Sequence, residues 1–351
     1  SLIELLTDAR YSRLSYDAVY LRDFDMGEAV AIMAEAIQEA LIKKGSMVDC
    51  CSRVGGAIRR KMDLPTDGNK NFRGGLFIFE VFASAGLVDI VAVRKKTDRH
   101  TTYYLAVKNW VKLQEIWDQL DPQYSVFQQP LLEAPEDWTG AYRSDGTTII
   151  KRAKDELLKE FTPEAYPLLY DVINRKQKTA FSVDVGMLKV FKTLLESGSQ
   201  IFEHNNALLG TEVRSGMLME ARAVLRTAEY VGDKDFHHFY TADFRGRLYP
   251  SSGYLTEQGS DHARSMIRLA NKVPLGDEGY EWLLYAAAGL FGQSKLAINE
   301  RIEFAHDHLD EWLSWAFDPL ANTGWQDADK PWSFLAVIRE ILKVDIHGDR
   351  E

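Results

Sequence analysis

The sequence predicts a mainly α-helical fold with small β elements, of the α+β class, divided into two or three compact units. Helical patterns recur along most of the 351 residues, whereas strand-like runs are short and few. Hydrophobic residues make up 46% of the chain, which is enough to bury a sizeable core.

The first clear element is a helix near the amino terminus. Asp25 is a suitable N-cap, Glu28 to Lys44 supply an alanine- and isoleucine-rich face, and Gly45 is a typical helix stop. We interpret this helix as structural.

A β-hairpin is predicted at about 87–107. Two strand-like runs, Leu87–Val93 and Thr101–Val107, flank a polar turn. Its tip is basic, with Arg94, Lys95, Lys96 and Arg99 against Asp98 alone. Two interpretations stay open, because such a tip is either a solvated turn or a sequence-independent contact to phosphates.

The stretch from Tyr142 to about Gly232 is predicted to be helical. Lys151 to Phe161 alternates charged residues with leucine, and Val183 to Leu195 is amphipathic. Thr162-Pro163-Glu164 is typical of a helix start with proline at the first position. A further helix is expected from Glu278 to Leu290.

The most informative segment is Phe239–Pro250, which contains Asp243-Phe-Arg-Gly-Arg247. Arg245 and Arg247 carry planar, permanently charged forks suited to phosphate, and Gly246 permits a backbone conformation or approach that a side chain forbids. Asp243 is placed to orient one guanidinium by a bidentate bond. A clip for a polyanion and a structural ion pair buried in a strand turn are both consistent with this pattern.

Composition excludes several classes of protein. The net charge of -10 argues against a nucleic-acid coat protein, although the acid is concentrated in the last quarter on what is predicted to be a solvated helical face. The two cysteines, Cys50 and Cys51, are too few for a disulfide framework or a metal site and fit a reducing cytoplasm. No apolar run of about 18 residues predicts a membrane span. Neither His237 and His238 nor His306 and His308 have metal-ligand spacing.

An ordered series of short motifs resembles the single-subunit RNA polymerases of T7-like phages and mitochondria. Asp243-x-x-Gly246-Arg247 falls on that family's T/D-x-x-G-R motif, Pro135–Gly140 on its proline-tryptophan turn and Asn174–Phe181 on its N-x-x-Q-x-T-x-W element. The resemblance covers roughly residues 75–348 and continues through Gln258–Asp261, Arg264, Leu269–Gly276, Glu278–Leu283, Glu300–Phe304 and Phe334–Ala336.

The resemblance implies the N-terminal half of a right-hand polymerase. Residues 1–145 would form a promoter-facing domain, 146–234 a reduced thumb, 235–262 the first palm segment and 263–351 a helical palm insertion with the chain end. The basic hairpin tip would lie at the upstream edge of the DNA bubble. The resemblance also implies that Asp243, Arg245, Gly246 and Arg247 contact the RNA–DNA hybrid, that Arg264 contacts the template and that Lys295 lies near the nucleotide and pyrophosphate.

The polymerase reaction needs two Mg²⁺ ions held by carboxylates, which the family supplies from a D-G-S/T-C-S-G segment and a later H-D-S segment. Asp345 and Asp349 lack that context, so this chain is expected to contain no catalytic residue, no metal ligand and no activity alone. The implied partners are promoter and template DNA, nascent RNA, ribonucleoside triphosphates and a C-terminal half or second subunit, without a membrane, in the cytoplasm of a phage-infected bacterium.

Two origins stay open at this point. The absence of an initiator methionine before Ser1 favours a truncated sequence, whereas an end that falls between family motifs favours one subunit of a split polymerase. A non-catalytic DNA-binding or regulatory protein derived from a polymerase N-terminal half is the alternative function.

Overall fold

The computed structural model describes residues 4, 5, 7, 16–42, 46–65, 67–93, 102–119, 129–143, 147–151, 153–202, 211–276 and 278–347. The chain divides into two compact units, Ser1–Gln129 with Leu209–Met219 and Pro130–Leu208 with Glu220–Glu351. Helices dominate both, and the strands of the described residues form three two-stranded sheets. The predicted mainly α fold with small β elements is therefore confirmed. Among the described helices, none is long and apolar enough to cross a membrane.

Unit 1 is built on a core of helices, α1 Met26–Ile42, α2 Met47–Lys61, α3 Gly68–Ser84 and α4 Trp110–Asp118, preceded by a 3-10 helix, Tyr16–Asp23. Asp25 caps α1 as predicted, because its Oδ1 accepts a hydrogen bond from the Glu28 amide at 2.7 Å. Helices α2 and α3 approach closely at glycines: a Cβ on Gly75 would stand 1.8 Å from the Cys51 carbonyl oxygen. The predicted stop at Gly45 lies outside the described residues.

The predicted hairpin is confirmed in unit 1. Strand β1 Val88–Val93 pairs antiparallel with β2 Thr102–Val107, with Val88 opposite Val107 and Val93 opposite Thr102. Its basic tip, with Arg94, Lys95 and Lys96, lies outside the described residues.

The first part of unit 2 differs locally from the predicted helical stretch. Between 151 and 161 only α5, Asp155–Leu158, is helical. Thr162 does not start a helix: its Oγ1 accepts from the Ala165 amide in a turn, and α6 begins at Pro167 and runs to Gln177, with that proline in its first turn. The amphipathic run forms α7, Val185–Glu196, while Val183 belongs to strand β3, Phe181–Val183. Helix α8, Thr211–Val231, belongs to unit 1 up to Met219 and to unit 2 from Glu220.

The second part of unit 2 surrounds an aromatic core. Its helices are α9 Asp261–Ser265, α10 Gly279–Ala288, α11 Ile298–Phe317 and α12 Pro331–His347. Phe291 and Phe334 pack on the fully buried Trp312, with ring centroids 5.4 and 4.9 Å away. The acidic face predicted here is solvated, because the following carboxylates are all exposed: Glu300, Glu303, Asp307, Asp310, Glu311, Asp318, Asp327 and Asp329.

Two small antiparallel sheets complete unit 2. Strand β3 pairs with β6, Ile267–Leu269, and β4, Tyr240–Ala242, pairs with β5, Leu248–Pro250. The loop between β4 and β5 is the Asp243–Arg247 motif, so the sheet presents this motif at the end of a hairpin.

Candidate nucleic-acid interface

The β4–β5 loop is a tight turn closed by its own backbone. The Gly246 amide donates to the Asp243 carbonyl at 3.0 Å, and the Asp243 amide donates to the Arg247 carbonyl at 2.9 Å. Gly246 has φ +76°, the left-handed conformation that suits glycine in hairpin loops of this kind. The glycine is therefore required by the turn itself.

The Asp243 carboxylate holds the Arg245 guanidinium and the backbone amides of Arg245 and Arg247 in place. Its Oδ2 accepts from Arg245 Nε at 2.9 Å and Nη2 at 2.7 Å, and its Oδ1 accepts from the amides of Arg245 and Arg247. Partial desolvation acts to raise the pKa of Asp243, but hydrogen bonds from Arg245, Arg247 and Tyr249 outweigh it and hold the pKa well below its ordinary value. The predicted orientation of one guanidinium by Asp243 is confirmed.

This ion pair is not buried, because 67% of the Arg245 side chain is exposed while Asp243 lies beneath it. Arg247 is also exposed, and its guanidinium has no partner among the described residues. The loop therefore presents one fixed and one free guanidinium to the solvent.

Three neighbouring side chains, which the sequence did not single out, extend this surface. Phe244, at the tip between the arginines, is 57% exposed. Tyr249 donates its hydroxyl hydrogen to Asp243 at 3.0 Å, and the exposed Lys151 places its Nζ 5.6 Å from the Tyr249 ring centroid. Lys151 lies beside Tyr249 because its backbone amide donates to the Ala242 carbonyl at 2.7 Å. No local sequence pattern predicts this contact.

The hairpin stands on a frame made from the other two family-like motifs. Asn174 brackets the Trp138 backbone, accepting from its amide at 2.7 Å and donating to its carbonyl at 3.1 Å. The buried Gln177 donates to the Glu136 carbonyl at 3.3 Å and accepts from the Tyr240 amide at 3.2 Å. The Trp138 indole donates to the Tyr240 carbonyl at 3.1 Å. Three motifs far apart in sequence thus meet at the base of β4.

A polar cluster lies behind β4. Glu257 accepts a hydrogen bond from the Tyr240 hydroxyl, and its other oxygen faces His238 Nε2 at 3.5 Å. Lys176 Nζ is 3.6 Å from Glu257, and His238 Nδ1 is 2.8 Å from Ser252 Oγ. Burial lowers the pKa of His238 to about 4 despite the carboxylate, so the imidazole is neutral at pH 7. Sequence reasoning set His238 aside, because nothing local connects it to Glu257.

The other predicted site residues belong to different elements. Arg264, on α9, has its Nη2 3.7 Å from Asp261 Oδ1 and lines a cleft beside α12. Lys295 is exposed in the turn before α11. Asp345 accepts a hydrogen bond from the Tyr280 hydroxyl at 3.0 Å, and Asp349 lies outside the described residues. In the described ranges, no three His, Cys, Asp or Glu side chains are grouped so that they could hold a metal ion.

Comparisons with known proteins agree with the motif series. A family model described as DNA-dependent RNA polymerase matches residues 273–351. The mitochondrial DNA-directed RNA polymerase of Neurospora crassa is 26% identical over 260 residues, which are 63% of this chain and 18% of that protein. T7 RNA polymerase of Escherichia phage T7 is 26% identical over 258 residues, 63% of this chain and 29% of that protein.

The human mitochondrial DNA-directed RNA polymerase is 35% identical over 124 residues, 35% of this chain and 10% of that protein. The matched region therefore spans less than a third of each of these relatives. These similarities and the ordered motifs relate the chain to the T7-like single-subunit RNA polymerases.

Proposed function

We propose that this chain supplies a nucleic-acid-binding part of a DNA-directed RNA polymerase, and that the Asp243–Arg247 loop holds the RNA–DNA hybrid. The observation that carries the proposal is the exposed pair of guanidiniums on this loop, one fixed by Asp243 and one free. A fixed fork loses little conformational entropy when it binds a phosphate, and a free fork can adjust to a second one.

The charge and shape of the loop favour this ligand. Arg245, Arg247 and Lys151 place three cations around one carboxylate, so the surface keeps a net positive charge although the chain as a whole is acidic. Gly246 has no side chain, and a Cβ at this position would meet nothing within 4 Å, so the loop leaves open space for a backbone to approach. The exposed Phe244 ring offers an apolar face beside the cations.

In this proposal the catalytic step takes place on residues outside the chain. The described residues do not fit a magnesium site, so the ligands of Mg²⁺ would come from a C-terminal half or a second subunit. Arg264 would contact the template, Lys295 would lie near the leaving phosphate, and Arg94, Lys95 and Lys96 would contact promoter DNA. The wider partners are ribonucleoside triphosphates and nascent RNA, in a phage-infected bacterium.

The polymerase subdomains that we propose for each part of the chain follow those of the family. Residues 1–145 would face the promoter, 146–234 would act as a reduced thumb, 235–262 would begin the palm and 263–351 would form its helical insertion. The boundary between the two compact units, after Gln129, falls inside the first of these ranges.

Arg247→Ala is the variant that tests the proposal. We expect it to weaken binding of a short RNA–DNA hybrid by roughly tenfold and to reduce the salt dependence of binding by about one phosphate contact. The matched control is Arg175→Ala, which removes an arginine that is 80% exposed on α6 and paired only with Asp171. Fluorescence anisotropy at several salt concentrations gives both quantities, and thermal unfolding monitors the fold.

Equal hybrid affinity for the two variants, with a lower melting temperature for Arg247→Ala alone, would mean that Arg247 has a structural role. The regulatory alternative needs a second assay. In this assay the chain is mixed with the protein that carries the D-G-x-C segment, and ribonucleotide incorporation is measured on single-stranded and duplex templates. If the chain binds hybrid but the mixture incorporates no ribonucleotide, the chain is not a polymerase subunit.

A further inference from the structure

Unit 2 contains an open cleft of about 600 Å³, and Arg264 is the one residue of its lining that the proposed function already uses. Strand β6, the loop after it and helix α12 form most of its wall. Two apolar residues of its wall are strongly exposed, Leu269 at 60% and Val273 at 77%. Apolar side chains exposed to this extent beside a cleft are typical of a surface that another molecule covers.

Strand β6, whose residues line the cleft, has a neighbouring strand on one side only among the described residues. On either side of β3, the Asp184 amide donates to the Met266 carbonyl at 2.8 Å and the Ala270 amide donates to the Ala180 carbonyl at 3.0 Å. The alternation of an antiparallel pair therefore directs the backbone groups of Arg268 toward β3. The backbone groups of Ile267 and Leu269 then point to the other side. Consistent with this register, Phe181, opposite Leu269, bonds away from β6 to Phe236.

Within the described residues, no hydrogen bond pairs the outward amides and carbonyls of Ile267 and Leu269. An unpaired strand edge is a template for an added extended strand, since main-chain bonds supply affinity and side-chain pockets supply specificity. The geometry of this wall is therefore suited to a polypeptide in extended conformation.

The side chains of the cleft favour a polypeptide over a nucleic acid. Single-stranded nucleic acids bind proteins by stacking bases on aromatic rings, and the described residues that line the cleft include no aromatic ring. Its apolar wall is aliphatic instead, and it includes Ile267, Leu269 and Val273.

The charged side chains of the cleft indicate the charge of the ligand. Arg268 is neutralised inside the protein, because Asp184 and Glu340 both contact its guanidinium, and Lys343 lies 3.0 Å from Glu340. Lys272 is exposed without a partner among the described residues. The rim therefore keeps a positive charge that complements a carboxylate.

We propose that the cleft binds an extended apolar segment bearing a carboxylate, which adds to β6 as a third strand and belongs to the catalytic remainder of the polymerase. The inference rests on the proposed function. It is supported by the length of the relatives, since the region matched here is 29% of T7 RNA polymerase and the rest of that protein has no counterpart in the match.

The experiment uses synthetic peptides that tile the part of phage T7 RNA polymerase outside the matched region. We expect a small set of peptides, apolar and carrying Asp or Glu, to bind the full chain. Bound peptide is expected to protect the Ile267 and Leu269 amides from hydrogen exchange. The same peptides methylated at alternate backbone nitrogens are expected to lose binding, because they keep their side chains but cannot pair as strands.

Val273→Asp is expected to weaken peptide binding about tenfold, because it places a carboxylate and removes an apolar contact in the cleft. Phe317→Asp is the matched control: Phe317 is 74% exposed, similar to Val273, and does not line the cleft. Both substitutions lie on the surface, so both variants are expected to fold.

Several results would overturn the inference: no peptide binds, methylated peptides bind equally well, or the two variants behave alike. Protection of Ile267 and Leu269 by an RNA–DNA hybrid would assign the cleft to nucleic acid instead. Protection by a second copy of the chain, with dimers in sedimentation, would assign it to self-association. Hybrid binding by Arg247→Ala is measured separately, so failure of the cleft and failure of the polymerase function give different patterns.

Discussion

Gln177→Leu is expected to lower the free energy of unfolding by roughly 3 kcal/mol, although the new side chain has a similar size. Gln177 is fully buried, and its amide satisfies the Glu136 carbonyl and the Tyr240 amide. Leucine leaves the Tyr240 amide without a partner, which costs about 1–3 kcal/mol. It also removes one of two donors to the Glu136 carbonyl, which keeps its hydrogen bond from Arg143 Nη1 at 3.0 Å, and the loss of such a bond costs about 1 kcal/mol. Urea denaturation followed by fluorescence gives the change, and hydrogen exchange at the Tyr240 amide shows whether it originates at β4.

Gln200→Leu is the matched control, because Gln200 is exposed in a 3-10 turn. Its substitution is expected to change stability by no more than about 0.5 kcal/mol. If Gln177→Leu were equally harmless, the frame under the hairpin would not depend on this amide. Hybrid binding by Gln177→Leu is expected to fall as well, since β4 positions Asp243.

Acidification from pH 6.5 to pH 4 is expected to destabilise unit 2 progressively. Burial lowers the pKa of His238 to about 4, with Glu257 opposing that effect and Lys176 and His237 adding to it. Burial also lowers the pKa of His262 to about 4, against the opposing effect of Asp261. The unfolded chain, with imidazole pKa values near 6.5, therefore binds more protons than the folded chain in this range.

The contribution of these two neutral imidazoles to the free energy of unfolding is therefore present above pH 6.5 and is lost as the pH falls toward 4. The steepest slope is about 1.4 kcal/mol per pH unit for each imidazole. Denaturant titrations at a series of pH values measure that slope. His262→Phe, which keeps a ring to stack on Phe191, is expected to flatten the pH dependence. His306→Phe, at an exposed position on α11, is expected to leave it unchanged. If His306→Phe flattened the pH dependence and His262→Phe left it unchanged, the pH dependence would not originate from the buried His262 imidazole.

Local chemistry is what the sequence predicted well. Asp243 and Arg245 are two residues apart, so their bidentate pairing depends only on the turn that Gly246 permits. The cap at Asp25 and the β1–β2 hairpin also depend on neighbouring residues. In each case the residues that decide the structure lie within one short segment.

Contacts between distant segments could not be predicted in this way. Lys151 lies beside Tyr249 because the segment at Ile150 pairs with β4, and the expected helix from Lys151 gives way to that pairing. His238 meets Glu257 through the same kind of long-range packing. Thr162 followed by Pro163 is a sequence pattern typical of a helix start. In the structure the Thr162 hydroxyl instead accepts a hydrogen bond within a turn, and the helix begins at Pro167.

The shortness of β6 has a consequence for how the chain behaves in concentrated solution. Open strand edges recruit further copies of a protein into aggregates when they are long, flat and apolar. Stacks of that kind are built from segments of about six residues or more, whereas β6 has three and presents the backbone of only two. The charged Arg268 and Lys272 interrupt the apolar run. An edge of this length is too short to seed fibres, so β6 is not expected to drive aggregation of the isolated chain.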